Sequence, residues 1–137
     1  MNARRAPDDP VEWLNRAESS LTQASHLLDG VYLEDLCAAA HQAAEKAIKS
    51  VLLKKAVDYP YVHDLGRLLA LARDSGVPLP KPIEQAARLT RYATARYPSP
   101  AEPVTREEYA VALTHARHVV EWAKLLVLAG EGASREL

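Results

Sequence analysis

Residues 33–55 read LEDLCAAAHQAAEKAIKSVLLKK, with neither proline nor glycine. Leu33, Leu36, Cys37, Ala40, Ala44, Ala47, Ile48, Val51 and Leu52 recur at spacings that place them on one helical stripe. A strand cannot use this pattern, because a period of two would scatter the same residues over both faces. The stretch therefore predicts a long helix, and its small alanines let a neighbouring helix approach closely. Everything around it has to supply partners for that stripe.

On the N-terminal side, Asp9-Pro10-Val11-Glu12 combines an N-cap acid, a proline at the first helical position and a glutamate three residues after the cap. Leu14, Ala17, Leu21, Ala24 and Leu28 follow at spacings of three and four, and Gly30 closes the predicted first helix. Residues 1–8 lack periodicity and are expected to form a flexible tail. On the C-terminal side, Asp58-Tyr59-Pro60 breaks the long helix. Leu65, Leu68, Leu69 and Ala72 then mark a shorter helix ending at Gly76. Pro82 opens a fourth helix carrying Ile83, Ala86, Ala87 and Ala93, and Pro98, Pro100 and Pro103 stop it.

A second capping box, Thr105-Arg106-Glu107-Glu108, starts a fifth helix. Its apolar stripe comprises Tyr109, Ala112, Leu113, Ala116, Val119, Val120, Ala123 and Val127, and Gly130 is expected to end it. No stretch alternates with period two, and β-branched residues are sparse. The expected architecture is all-α: one domain over residues 9–130, an antiparallel up-and-down bundle of four to five helices, with residues 131–137 frayed.

A chain of 137 residues that is 48% hydrophobic has room for one core. Its net charge of −1 excludes a globally basic nucleic-acid binder. The charge is uneven, however. Lys46 to Arg96 holds ten basic residues against four acidic ones, a balance of +6, and the remainder carries −7. A basic middle suits a phosphate-bearing ligand or pairing between the chain's own segments. With a single Cys37, no charged-then-apolar leader and no apolar run near the roughly 20 residues that span a bilayer, a cytoplasmic location and no membrane role are expected.

Cys37, His41 and Glu45 follow one another at spacings of four, but Cys37 belongs to the apolar stripe and Glu45 stands four residues before Lys49, an ordinary ion-pair spacing. No metal site and no cofactor are expected. His115 and His118 are read as solvated or helix-packing residues. No Ser-His-Asp order, glycine-rich phosphate loop or paired-carboxylate signature is present.

The most suggestive local pattern is Arg88-Leu89-Thr90-Arg91-Tyr92-Ala93-Thr94-Ala95-Arg96-Tyr97-Pro98. On an α-helix, Arg88, Tyr92 and Arg96 would share a face opposite Ile83, Ala86 and Ala93. Guanidinium groups grip phosphate and aromatic rings stack on bases, so Arg88, Arg91, Arg96, Tyr92 and Tyr97 are candidate nucleotide- or phosphate-binding residues. Arg91 and Arg96 are about 140° apart around a helix axis, so a shared site requires unwinding before Pro98.

Two segments, Ala40-His41-Gln42-Ala43-Ala44-Glu45-Lys46-Ala47-Ile48-Lys49-Ser50-Val51-Leu52 and Val62-His63-Asp64-Leu65-Gly66-Arg67-Leu68-Leu69, resemble the HEPN (higher eukaryotes and prokaryotes nucleotide-binding) domain family in their "AAEKAxK" helix and "HDL" helix start. The resemblance extends from Asp9 to Gly130. It implies a four- or five-helix bundle, a homodimer or dimer of dimers, and either RNA cleavage or partnership with a minimal nucleotidyltransferase in a toxin-antitoxin type pair.

Members with ribonuclease activity carry an Arg followed, after four to six residues, by a His; here Arg91 is followed by Arg96 at that place. Arginine stays charged and shuttles protons poorly, although it stabilises negative charge on a phosphorane. A binding module for nucleotide or RNA phosphate is therefore the expected function. The alternatives are a metal-independent ribonuclease with a dimer-interface site, in which His41 and His63 would be the proton carriers, and a non-catalytic interaction bundle.

Overall fold

A computed structural model describes residues 5–93 and 103–136 of the chain, with side chains as far as Ala129. Five α-helices are described: α1 (Pro10–Ala24), α2 (Leu33–Lys54), α3 (Leu65–Asp74), α4 (Lys81–Gln85) and α5 (Arg106–Glu136), with a 3₁₀ segment, Ala86–Tyr92, directly after α4. No strand occurs among the described residues. The predicted all-α architecture is what is found.

α2 forms the centre. It packs along α1 and α5, and α3 and the 3₁₀ segment lie against it. Its stripe is buried from Leu36 to Leu52, with Cys37, Ala40, Ala44, Ala47, Ile48 and Val51 fully covered. Cross-contacts give the helix directions. Lys46 Nζ donates to Ser20 Oγ at 2.8 Å while Lys49 lies over the Trp13 ring, so α1 and α2 run antiparallel. The Tyr109 hydroxyl donates to the Ala24 carbonyl and Lys124 pairs with Glu18, so α5 also opposes α1. The Val104 N–H reaches Glu34 at 2.8 Å, setting α5 parallel to α2.

The helix starts follow the sequence closely. Asp9 Oδ1 accepts the Val11 N–H at 2.8 Å, and Asp64 Oδ1 accepts the Arg67 N–H at 3.3 Å. At Thr105 the capping box closes in both directions, with Thr105 N–H donating to Glu108 Oε1 at 3.0 Å and Glu108 N–H to Thr105 Oγ1 at 3.1 Å. The first helix has no such reciprocal box: Glu12 instead accepts the Arg5 N–H and the Arg16 guanidinium.

Helix ends correct several expectations. α1 stops at Ala24, four residues short of Leu28, because Ser25 Oγ and His26 Nδ1 both engage the Thr22 carbonyl and draw the chain out of the helix. Leu28 is consequently exposed. Gly30, at φ +85°, turns the link between α1 and α2 and does not cap α1.

Gly76, at φ +96°, does cap α3: its N–H returns to the Arg73 carbonyl and that of Val77 to the Ala72 carbonyl. The same bond pattern ends α2, but there Ala56 takes the left-handed position at φ 57°. Gly130 does not end α5, which continues to Glu136. A glycine stops a helix through left-handed backbone, and inside one it costs only about 1 kcal/mol.

The fourth helix is the largest departure. Only Lys81–Gln85 is α-helical, and Ala86–Tyr92 winds as a 3₁₀ segment. A 3₁₀ turn repeats every three residues, so Ala86, Leu89 and Tyr92 all face the core and are buried. Tertiary contacts hold the tighter winding: Thr90 Oγ1 accepts the Leu65 N–H at 3.0 Å, and the Tyr92 hydroxyl engages the Cys37 thiol. No described helix is long and apolar enough to cross a membrane.

Candidate functional site

The change of winding rearranges the basic pattern. Arg88 and Arg91, neighbours at a spacing of three in either winding, are one 3₁₀ turn apart and both exposed. Tyr92 leaves the surface that an α-helical reading gave it and joins the core. Its phenol is pushed above its usual range by burial, and the Arg91 guanidinium sits 5.5 Å over its ring. A base could stack on Tyr92 only by displacing Arg91. Arg96 and Tyr97, the other two candidates, lie outside the described residues.

Between the 3₁₀ segment and the start of α5 lies an open cleft of about 290 Å³. Leu89, Tyr92, Val111 and Ala112 give it an apolar lining. Its charged and titratable groups are Arg88 and Arg91 on one side and Glu107, Glu108 and His115 on the other. Neither arginine forms an ion pair with a described residue. Glu108 is engaged by Thr105, whose backbone and side-chain hydrogen bonds hold its carboxyl below the usual range, with a smaller contribution from Arg91.

His115 lines this cleft, a place that its sequence reading as a solvated or helix-packing residue did not give it. It is half-buried, and burial first, then the charges of Arg88 and His118, depresses its basicity. Its signal was its position on α5: Ala112 and Ala116 share the buried stripe, and the register places His115 at its edge. What could not be read was which segment that edge would meet.

Cys37 is buried as expected. Burial pushes its thiol up to about 11, against the Tyr92 hydrogen bond, which makes it a structural residue and a poor nucleophile. No metal-ligating cluster of three or more His, Cys, Asp or Glu occurs among the described residues.

A second polar cluster lies on α2. Glu45 and Lys49 are both buried, with Lys49 Nζ 2.9 Å from Glu45 Oε2 and His63 Nδ1 2.8 Å from Glu45 Oε1. Lys49 is ringed by Trp13, Tyr59 and Tyr61 at 5.8, 5.5 and 5.6 Å from the ring centroids. His41 Nε2 meets the His63 carbonyl at 2.9 Å, while its buried Nδ1 has no partner. Burial raises the Glu45 carboxyl, but the hydrogen bonds and charges of Lys49 and His63 outweigh that and leave it below the usual range. For His41, burial is the leading influence and favours the neutral ring.

The family model of the HEPN domain matches residues 11–126. The chain belongs to the HEPN domain family. Its structure is also similar to the crystal structure of an archaeal HEPN homologue, with a TM-score of 0.68 and 24% identity over 87% of this chain and 98% of that one, a likeness of fold. No curated protein matches.

In this HEPN domain the residues of the AAEKAIK and HDL segments do identifiable structural work. Glu45, Lys49 and His63 tie the link between α2 and α3 onto α2, while Asp64 caps α3 and Leu65 enters the core. His41 and His63 line no part of the arginine cleft.

Proposed function

We propose that this HEPN domain binds a phosphate-bearing ligand, a nucleotide or an RNA strand, in the cleft between the 3₁₀ segment and α5, with Arg88 and Arg91 as its phosphate ligands. Membership of the HEPN family supports a nucleotide- or RNA-related module. The observation that carries the assignment is the state of the two guanidiniums: they border the same cleft and form no ion pair with a described residue, even though two glutamates line the opposite side. Arginines placed to hold the fold together would be expected to pair, as Arg16 does with Glu12. The apolar lining beside them suits a base or ribose face.

Arg96 and Tyr97, close along the chain, complete this reading as further phosphate and stacking groups. The domain acts as a homodimer, for which the exposed Leu125 on α5 offers apolar surface, and works beside a nucleotidyltransferase in a toxin-antitoxin type pair. Light scattering at micromolar concentration checks the dimer.

Titration of AMP, ATP and a fluorescent single-stranded RNA into the wild type and into Arg88→Ala and Arg91→Ala tests the site. Binding by the wild type that weakens by about 1–3 kcal/mol in each variant is the expected result, the range for a charge-assisted bond to an anion. Equal binding by all three proteins would remove the site. RNA cleavage in chelator, abolished in both variants, would convert the binding module into a ribonuclease.

A further inference from the structure

We infer that His115 is a third ligand for the anion in this cleft, one that takes up a proton as the anion binds. The inference rests on the proposed phosphate site and adds to it a residue and a linked proton. Its basis is the placement of charge. Two basic side chains, Arg88 and Arg91, share the lining with two acidic ones, Glu107 and Glu108, so the formal charges of the cleft cancel. A phosphate group entering such a site gains little long-range attraction unless something else supplies positive charge. His115 is the remaining titratable side chain of known ordinary range near neutrality in the lining, and it lies on α5 one turn beyond Val111 and Ala112.

The surroundings of His115 fix the direction of the effect. From the 3₁₀ segment it faces Arg88 and Arg91, and from its own helix Glu107, Glu108 and His118. α1, α2 and α4 also pack on α5, and none of them places a charged side chain in the cleft lining. With the cleft empty, burial and the nearby positive charges keep the ring neutral at physiological pH.

A phosphate between the two guanidiniums reverses the balance. It neutralises the charge that opposed protonation and offers oxygens to an imidazolium N–H. Both ring nitrogens donate once the ring is charged, whereas the neutral ring donates from only one. Binding the anion and binding the proton therefore favour each other, by an equal factor in each direction. Glu108 is held back from the ring and the anion by Thr105, whose N–H donates to its Oε1 at 3.0 Å.

The test uses the full-length protein and a short oligouridylate with hydroxyl groups at both ends, whose phosphodiesters and bases keep a constant charge between pH 5.5 and 8. Affinity is measured at fixed ionic strength across that range, with calorimetry in two buffers of different ionisation enthalpy to count protons. The wild type should bind more tightly as pH falls, approaching tenfold per pH unit where one proton is taken up per site. His115→Gln, which keeps a polar side chain of similar reach without the charge, should flatten the dependence and abolish proton uptake, and His118→Gln should retain both.

If His115→Gln proves misfolded by circular dichroism, the imidazole resonances of wild-type His115 decide instead. Its titration midpoint should rise when the oligouridylate is bound, and an unmoved midpoint would overturn the inference. So would an undiminished pH dependence in a folded His115→Gln protein. Binding that is sensitive to Arg88→Ala and Arg91→Ala but flat with pH would overturn the proton-linked ligand and leave the phosphate site standing. Absence of oligouridylate binding at every pH, with AMP and ATP also unbound, would remove the site and this inference together.

Discussion

Two regions of this domain hold the same kinds of group and use them differently. On α2, one carboxylate, one ammonium, two imidazoles and three aromatic rings close on each other around Glu45 and Lys49. Beside α5, two guanidiniums, two carboxylates and an imidazole surround a cleft, and the arginines remain unpaired among the described residues. Charged and aromatic residues in a motif thus say little about function until their partners are known. In the first region the partners are internal, and the product is a fixed joint between α2 and α3. In the second the arginines share a cleft with two carboxylates without closing an ion pair, the arrangement on which the proposed ligand site rests.

The contrast breaks most visibly at Glu45. Replacing it with alanine leaves Lys49 buried without its carboxylate and takes from His63 its partner, a loss of about 3–5 kcal/mol expected in denaturant unfolding. Ligand affinity of the protein that remains folded should be unchanged. Swapping Glu45 and Lys49 together for leucine and methionine should recover much of the loss, since apolar residues of similar volume replace buried ion pairs at little cost. If Glu45→Ala proves nearly neutral, the joint is not what holds the α2–α3 link.

A smaller effect should come from pH. His41 binds its proton less readily in the folded state than in the unfolded one, chiefly through burial. Its contribution to stability is therefore complete above the unfolded value of about 6.5 and is lost as pH falls below it, by at most about 1.4 kcal/mol per pH unit. Glu45 acts at lower pH in the same direction: its depressed carboxyl stabilises the fold above the ordinary glutamate range and ceases to do so as it is protonated. Unfolding monitored from pH 7 to pH 5 should show His41→Gln losing the upper part of this dependence.

Thr105→Ala probes the other region. Loss of the cap should cost about 1 kcal/mol in thermal unfolding. It should also free Glu108 to approach Arg91, so RNA affinity should fall although Thr105 lies outside the cleft lining. Smallest is Ala56→Gly, which relieves a left-handed alanine at the end of α2 and should raise stability by about 0.5–1 kcal/mol without touching either region. A destabilised Ala56→Gly protein would show that the Ala56 methyl contributes more packing than strain.

Helices and core were legible because their signals are local. The stripe from Leu36 to Leu52 needs only the helical period, and the caps at Asp9 and Thr105 need only a few adjacent residues. The 3₁₀ winding of Ala86–Tyr92 was not legible, because Thr90 bonding to Leu65 and Tyr92 bonding to Cys37 impose it from elsewhere in the chain.

That one change moved Tyr92 inward, away from the face that the α-helical period gave it beside Arg88. His115 was missed for a related reason. On its own helix it is an ordinary boundary residue, and only the docking of the 3₁₀ segment against α5 makes it a neighbour of arginines. Glu45 and Lys49 were read correctly as an ion pair, but that the pair is buried and shared with His63 depends on where the α2–α3 link returns.

The most direct measurement compares stability and ligand binding in two variants side by side. Thermal unfolding and single-stranded RNA binding would be recorded for the double variant Arg88→Ala/Arg91→Ala and for Glu45→Ala. The arginine variant should melt close to wild type, within about 0.5 kcal/mol for changes to exposed residues, while its RNA binding is lost. The glutamate variant should melt far lower yet bind normally while folded. RNA binding undiminished in the arginine variant, or lost to the same degree in the folded glutamate variant, would contradict the division of this domain into a closed joint and an open site.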